Sequence, residues 1–183
     1  MRIIAGEFRG RKLLPPRANI TRPVTDRVKQ SIFDVLSPRL ADAAVYDCFA
    51  GTGSMGLEAL SRGSRFVTFF EADRSALELL NMNRAALGVE DRSSVVAGDL
   101  FRWFELAPPP DRVDLVFLDP PYRFAPQRPR MLESLARQMA DHLAPGAAVV
   151  YRHDAADAPQ LGPLRRFDVR DYGAMRVEFL TAG

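Results

Sequence analysis

The stretch VYDCFAGTGSMGLEAL, residues 45–60, constrains this chain more than any other feature. It sets Gly51, Gly53 and Gly56 in a G-x-G-x-x-G arrangement between an apolar strand-like run and a helical pattern. Glycines there permit a tight turn and let backbone approach a ligand, while the helix N-terminus offers free N–H groups. A loop of this kind needs a strand before it and a helix after it, and the rest of the chain supplies more of the same. Strand-like runs at Val45–Phe49, Phe66–Glu71, Ser94–Ala97, Leu115–Leu118 and Ala147–Tyr151 alternate with helical patterns near Gly56–Arg62, Arg74–Leu87, Leu100–Phe104 and Arg130–Leu143. Apolar runs such as LVFL suit a parallel sheet covered on both faces. The expected fold is therefore α/β, a Rossmann-like, mostly parallel doubly wound sheet. Phe167–Tyr172 and Met175–Leu180, joined at Gly173–Ala174, read as a hairpin that adds an antiparallel strand.

This unit is assigned to residues 41–183, and residues 1–40 form a basic N-terminal extension. That extension reads as short strands around Arg2–Ile4 and Lys12–Leu14 with a turn through Gly6 to Gly10. Thr25 then caps a helix from Asp26 to about Leu36, with Val28, Ile32, Phe33, Val35 and Leu36 largely on one face. Residues 1–30 hold eight basic side chains against two acidic ones, a net +6, whereas the remainder of this +2 chain is net −4. A basic arm on a mildly acidic body is the pattern of a phosphate-backbone binder, and Arg9, Arg11 and Lys12 are its candidate RNA contacts. Charge alone leaves a merely solvated segment equally open.

Carboxylates at the strand ends narrow the ligand. Glu71 ends the second strand 20 positions after Gly51, where it can accept from two ribose hydroxyls. Glycines and this acid together still allow nicotinamide and flavin cofactors. Asp47, at the end of the first strand, favours S-adenosyl-L-methionine: a carboxylate there suits the amino group of a methionine moiety and would repel a pyrophosphate. Asp99 can accept from an adenine amine, cap the helix that starts at Leu100, or do both. Glu58, on the helix beyond the loop, reads as a surface residue or a local structural partner.

The tetrapeptide Asp119-Pro120-Pro121-Tyr122 follows LVFL at the carboxyl end of a strand, where open α/β sheets bind ligands. Its prolines stiffen the backbone and remove two N–H donors, so the turn presents acceptors. An exocyclic amine on a nucleobase needs such a surface, because its lone pair is delocalised into the ring. The Asp119 carboxylate and the Pro120 carbonyl can accept its two hydrogens while Tyr122 stacks on the base. A base inside a stem must leave the stack to reach such a pocket. The plainer alternative is a rigid turn with Tyr122 as packing.

Other chemistries find little support. Cys48 is the single cysteine and lies in a strand-like run, so it reads as packing; with only His142 and His153 besides, no metal site is expected. No secretory signal and no apolar run of membrane-spanning length are visible, which points to a cytoplasmic protein without membrane contact. A monomer is the default expectation.

MRIIAGEFRGRKL, TRPVTDRVKQSIFDVL, DCFAGTGSMGLEALSRG, VFLDPPY and YGAMRVEFL together make the chain resemble the RsmD family of bacterial 16S rRNA guanine-N2 methyltransferases. The resemblance implies a class I methyltransferase sheet, S-adenosyl-L-methionine as donor and a guanine of the small ribosomal subunit as acceptor. By position, cofactor contacts fall on Asp47, Gly51, Gly53, Glu71 and Asp99, and the catalytic motif on Asp119, Pro120, Pro121 and Tyr122. Thr25 and Arg27 fall in a segment that closes over the methionine end. Relatives often carry Phe where this chain has Tyr122; either ring stacks. The stretch 123–130 is a candidate substrate-side loop. DPPY is also shared with DNA adenine and cytosine amino-methyltransferases, so such an enzyme, or a non-catalytic nucleic-acid-binding module, are the rival readings.

Overall fold

The fold is taken from a computed structural model, which describes residues 1–16, 24–106, 112–121, 123–157 and 160–182. Its elements run α1 (Asp26–Leu36), β1 (Ala44–Cys48), α2 (Ser54–Ser61), β2 (Phe66–Glu71), α3 (Arg74–Leu87), β3 (Ser93–Ala97), α4 (Leu100–Leu106), β4 (Val113–Leu118), α5 (Phe124–Gln127), α6 (Pro129–Ala140), β5 (Leu143–Asp154), β6 (Leu164–Tyr172) and β7 (Met175–Ala182). The strands form one sheet in the order β3-β2-β1-β4-β5-β7-β6. The first five are parallel, and β7 enters antiparallel between β5 and β6. From β1 the chain winds outward through β2 and β3, then returns to β4 on the other side. That reversal opens a crevice at the carboxyl ends of β1 and β4, where a doubly wound sheet binds its ligand.

The central strands β1 and β4 and residues 147–153 of β5 are buried on both faces, as their apolar runs require, whereas the edge strand β6 is largely exposed. Residues of α1, α2 and α3, such as Phe33, Leu57 and Leu80, pack with Val45, Phe69 and Phe117 on one side. On the other, Phe104 of α4 and Leu132, Leu135 and Met139 of α6 pack with Tyr46, Val116 and Tyr151. Ile3 and Leu13 belong to the first of these cores, so the N-terminal segment is seated on the body.

Element edges moved where side-chain pattern does not control them. The helix expected to run to Leu143 ends at Ala140, since the His142 carbonyl accepts from Val113 N (2.9 Å) and Leu143 already pairs with Val113. The two N-terminal strands reduce to a single bridge, Arg2 with Lys12. Backbone bonds such as Ile3 N to the Arg11 carbonyl (2.9 Å) and Leu13 N to the Met1 carbonyl (3.1 Å) still join the two sides, and further bonds tie the arm to α2. Glu7 N donates to the Ser61 carbonyl (2.7 Å) and Phe8 N to Ser61 Oγ (2.9 Å). A Cβ on Gly6 would lie 1.7 Å from the Ser61 carbonyl oxygen, so only glycine fits that approach.

Glu58 is not a surface residue. It is fully buried and accepts from Ile4 N (2.8 Å) and Ala5 N (3.0 Å), with Lys29 at 3.3 Å and Arg62 at 2.8 Å. Lys29, counted with the basic arm by sequence, is 1% exposed and also donates to the Arg2 carbonyl (2.7 Å) and Ser54 Oγ (3.2 Å). A buried carboxylate needs such partners, and here they fasten the arm and α1 to the helix that follows the glycine loop.

Candidate active site

The glycine loop is shaped by three separate demands. Gly51 lies at φ 57° and a Cβ there would meet nothing within 4 Å, so its open side faces free space at the crevice. Gly53 caps α2 at φ 87°, with Leu80 Cδ1 2.5 Å from where a Cβ would sit. Gly56 lets α2 press on β2, since its Cβ would meet Phe69 Cε1 at 2.4 Å. Just before the loop, Phe49 is held at φ 62°, a conformation that costs a non-glycine residue about 1 kcal/mol or more and concentrates at functional sites.

Carboxylates bind this loop from below and beside. Asp47 is 2% exposed and its Oδ2 accepts from Gly56 N (2.8 Å). Burial pushes its carboxyl well above the usual carboxylate range; the Gly56 bond opposes this, and the charges of Asp119 and Glu71 add to it. Glu71 accepts from Gly51 N (2.7 Å) on one oxygen, and from Ala72 N and Asp73 N (both 2.8 Å) on the other. A carboxylate offers about four acceptor positions, so roughly one remains for a ligand hydroxyl, not the pair expected from sequence. Gly98 N donates to the Glu71 carbonyl (2.9 Å), which brings Asp99 alongside. Asp99 is exposed, and its Oδ1 accepts from Phe101 N (2.9 Å) as the cap of α4.

Asp119 stands directly after β4, its amide donating to the Cys48 carbonyl (3.4 Å). Its two carboxylate oxygens accept from Arg152 Nε (2.6 Å) and Nη2 (2.5 Å). Pro120 is buried, Pro121 is half-buried, and the Pro121 carbonyl accepts from Phe124 N (2.7 Å). Tyr122 lies outside the described residues. Phe101 and Phe124 stack with ring centroids 5.8 Å apart, and Phe49 meets both edge-on at 6.1 and 5.8 Å. A cavity of about 220 Å³ lined by Pro126, Pro129, Arg130, Glu133 and Asp157 adjoins the 123–130 stretch. A larger cavity of about 460 Å³ opens at the opposite, amino ends of the parallel strands, between Arg39, Arg65 and Arg112, and holds none of these residues.

The structure thus gathers Asp47, Gly51, Gly53, Glu71, Asp99 and Asp119 at one edge. Thr25 caps α1 through Oγ1 to Val28 N (3.4 Å), and Arg27 is exposed on the same turn. One turn on, Lys29 touches Ser54 at the start of α2, so that end of α1 lies near the loop. Arg9, Arg11 and Lys12 are exposed, although Arg11 Nη2 donates to the Ala86 carbonyl. The arm and the loop share Asn83, which pairs with Leu14 N (2.8 Å) and with the Thr52 carbonyl (2.9 Å). Cys48 is buried, and burial raises its thiol well above the usual range, so it is packing.

Sequence reasoning missed Arg152 and the Phe49, Phe101 and Phe124 cluster. A signal for Arg152 was present: an arginine inside the apolar strand AAVVYRHD must find a buried counter-charge. The aromatic cluster draws on the turn after β1 and the first turns of α4 and α5, and spacing along the chain does not reveal that they meet.

The Asp47 geometry makes a prediction. Because its folded carboxyl titrates above the unfolded value, the unfolded state releases its proton first as pH rises past about 4. Stability is therefore lost between that point and the raised folded value. Asp47→Asn, which keeps an acceptor for Gly56 N, should be more stable than the parent at neutral pH. Melting temperatures recorded from pH 4 to 8 should show the difference widening; equal curves would mean the charge carries no penalty.

The chain is similar to known proteins along most of its length. The family model described as Conserved hypothetical protein 95 matches residues 1–181. Ribosomal RNA small subunit methyltransferase D of Escherichia coli is 42% identical over 123 residues, which are 67% of this chain and 61% of that protein. The solved structure of Escherichia coli yhhF superposes with a TM-score of 0.86 at 32% identity, covering 100% of this chain and 97% of that one. SMU.776, solved with SAH, shares the fold at TM-score 0.67 and 16% identity, over 83% of this chain and 48% of that one. The chain belongs to the family described as Conserved hypothetical protein 95, the RsmD family that its motifs resemble.

Proposed function

We propose that this protein transfers a methyl group from S-adenosyl-L-methionine to the exocyclic N2 amine of a guanine in 16S rRNA. It acts in the cytoplasm, on the small ribosomal subunit or its precursor. The observation that carries the reading is the meeting of an open glycine loop, Gly51, with an arginine-held Asp119 between the carboxyl ends of β1 and β4.

The donor set fits the cofactor. Glu71 and Asp99 add negative charge at this edge and Asp47 offers a carboxyl beneath the loop, which suits a ligand bearing a sulfonium and an ammonium group better than a pyrophosphate. Asp47 and the Gly51 turn would hold the methionine end, Glu71 a ribose hydroxyl, and the free oxygen of Asp99 the adenine amine. When bound, the cofactor supplies a methyl group on a positively charged sulfur, a good leaving group. Asp119 and the Pro120 carbonyl accept the two N–H hydrogens of the target amine and return its lone pair to nitrogen. A nitrogen that is methylated becomes positive, and the Asp119 carboxylate would stabilise that charge and receive the departing proton. Preorganised charge of this kind often lowers a barrier more than any other single effect, and fixing the two reactants can supply up to ~7–11 kcal/mol more. Tyr122 would stack on the base.

The reaction is tested with labelled S-adenosyl-L-methionine and small subunits assembled from unmodified 16S rRNA, followed by mapping of the modified base. Transfer to a guanine N2 is expected. Transfer to duplex DNA and not to these particles would replace this reading with that of a DNA amino-methyltransferase. Neutralising Arg9, Arg11 and Lys12 together should weaken RNA binding and reduce the slope of log affinity against log salt by about two units. An unchanged slope would return the arm to ordinary surface.

A further inference from the structure

Arg152 is brought level with Asp119 by strand register, not by sequence proximity. β4 and β5 are parallel neighbours with Leu118 opposite Tyr151, so the next residue on each strand is Asp119 and Arg152. The side chains are 10% exposed for Arg152 and 23% for Asp119, and both oxygens of Asp119 are engaged by the two parallel N–H bonds of one guanidinium. On its far side Arg152 Nη1 lies 3.9 Å from the Met175 sulfur on β7, so the guanidinium is itself braced.

We propose that Arg152 is a positioning residue for the methyl transfer, acting through Asp119; the proposal rests on the function given above. The terminal torsion of an aspartate is broad and does not fix the carboxylate plane by itself. A planar fork does, because two parallel bonds allow one orientation. Of about four acceptor positions on the carboxylate, the fork occupies one on each oxygen and leaves the others for an incoming N–H. The guanidinium also offsets the charge of Asp119 beside Asp47 and Glu71, which the fold packs at the same edge. A lysine would keep the charge and lose the fork.

The test compares wild type, Arg152→Gln and Arg152→Lys. It measures melting temperature, S-adenosylhomocysteine affinity by calorimetry, and kcat and KM on small subunits assembled from unmodified 16S rRNA. Arg152→Gln should lower kcat roughly 100-fold, the scale of a misplaced catalytic group, with KM and S-adenosylhomocysteine affinity unchanged. Arg152→Lys should recover part of that turnover and stay below wild type. Wild-type kcat in either variant overturns the proposal, as does a loss matched by equal losses in cofactor affinity and folding. Should Arg152→Gln fail to fold, Arg152→Lys decides alone by the same criteria. An inactive wild type would instead defeat the proposed function, and this role with it.

Discussion

Asp119→Ala is expected to reduce methyl transfer by roughly 10²–10³-fold, the scale seen when a preorganised group facing developing charge is removed. Affinity for S-adenosylhomocysteine should stay near wild type, since the loop that would hold it is fastened by Glu71 and Asp47 and not by Asp119. The measurement is single-turnover transfer to unmodified small subunits beside calorimetric binding of the cofactor product. Asp119→Asn separates charge from shape: it keeps one acceptor oxygen, cannot balance Arg152, and should fall between the two. Undiminished transfer by Asp119→Ala would mean that the carboxylate is only part of a turn.

Glu58→Ala should produce the largest loss of stability among single substitutions outside the crevice. It removes the acceptor for two arm amides and leaves Lys29, 1% exposed, without its carboxylate. Breaking a buried ion pair by deleting one partner costs roughly 3–5 kcal/mol, which in a domain of this size lowers the melting temperature by about 10 °C. The exposed pair Arg137–Glu133 gives the contrast: Glu133→Ala should change stability by about 0.5 kcal/mol or less. The loss at Glu58 should also depend on pH. Burial already holds the Lys29 ammonium below its ordinary value against the pull of Glu58. Without that pull the folded value falls further, and between it and the unfolded value stability rises with pH. The deficit of Glu58→Ala should therefore shrink as the solution is made more alkaline. A deficit that is small, or flat from neutral to alkaline pH, would show that the arm is held by other contacts.

Much of the sheet was legible because its signals are local. An apolar run between polar helical patterns marks a buried parallel strand, and β2, α3 and the Thr25-capped α1 fall where their residue patterns place them. The glycine loop was legible for the same reason: three glycines at fixed spacing after a strand have few alternatives. Edges such as the start of β5 were less so, because residues 144–147 bulge between the pairings of Leu143 and Ala148, a matter of register with β4. The charge count of the N-terminal arm gave its sign correctly but not its exposure. Lys29 is consumed inside the protein, Arg2 pairs with Asp26, and Arg17 and Arg22 lie outside the described residues.

By itself the amino-acid sequence determined the layer architecture, the βα loop and the carboxylates at the strand ends, since each depends on residues within a turn or a strand of one another. Tertiary structure alone decided that Arg152 meets Asp119, that Phe49, Phe101 and Phe124 share one wall, and that Glu58 supports the arm. Those contacts join residues 23 to 75 positions apart; the register of β5 on β4 fixes the first, and the packing of helices and arm on the sheet fixes the others. A linear pattern carries the need for a partner, as a charge in an apolar strand does, but only the packed sheet supplies the partner's identity.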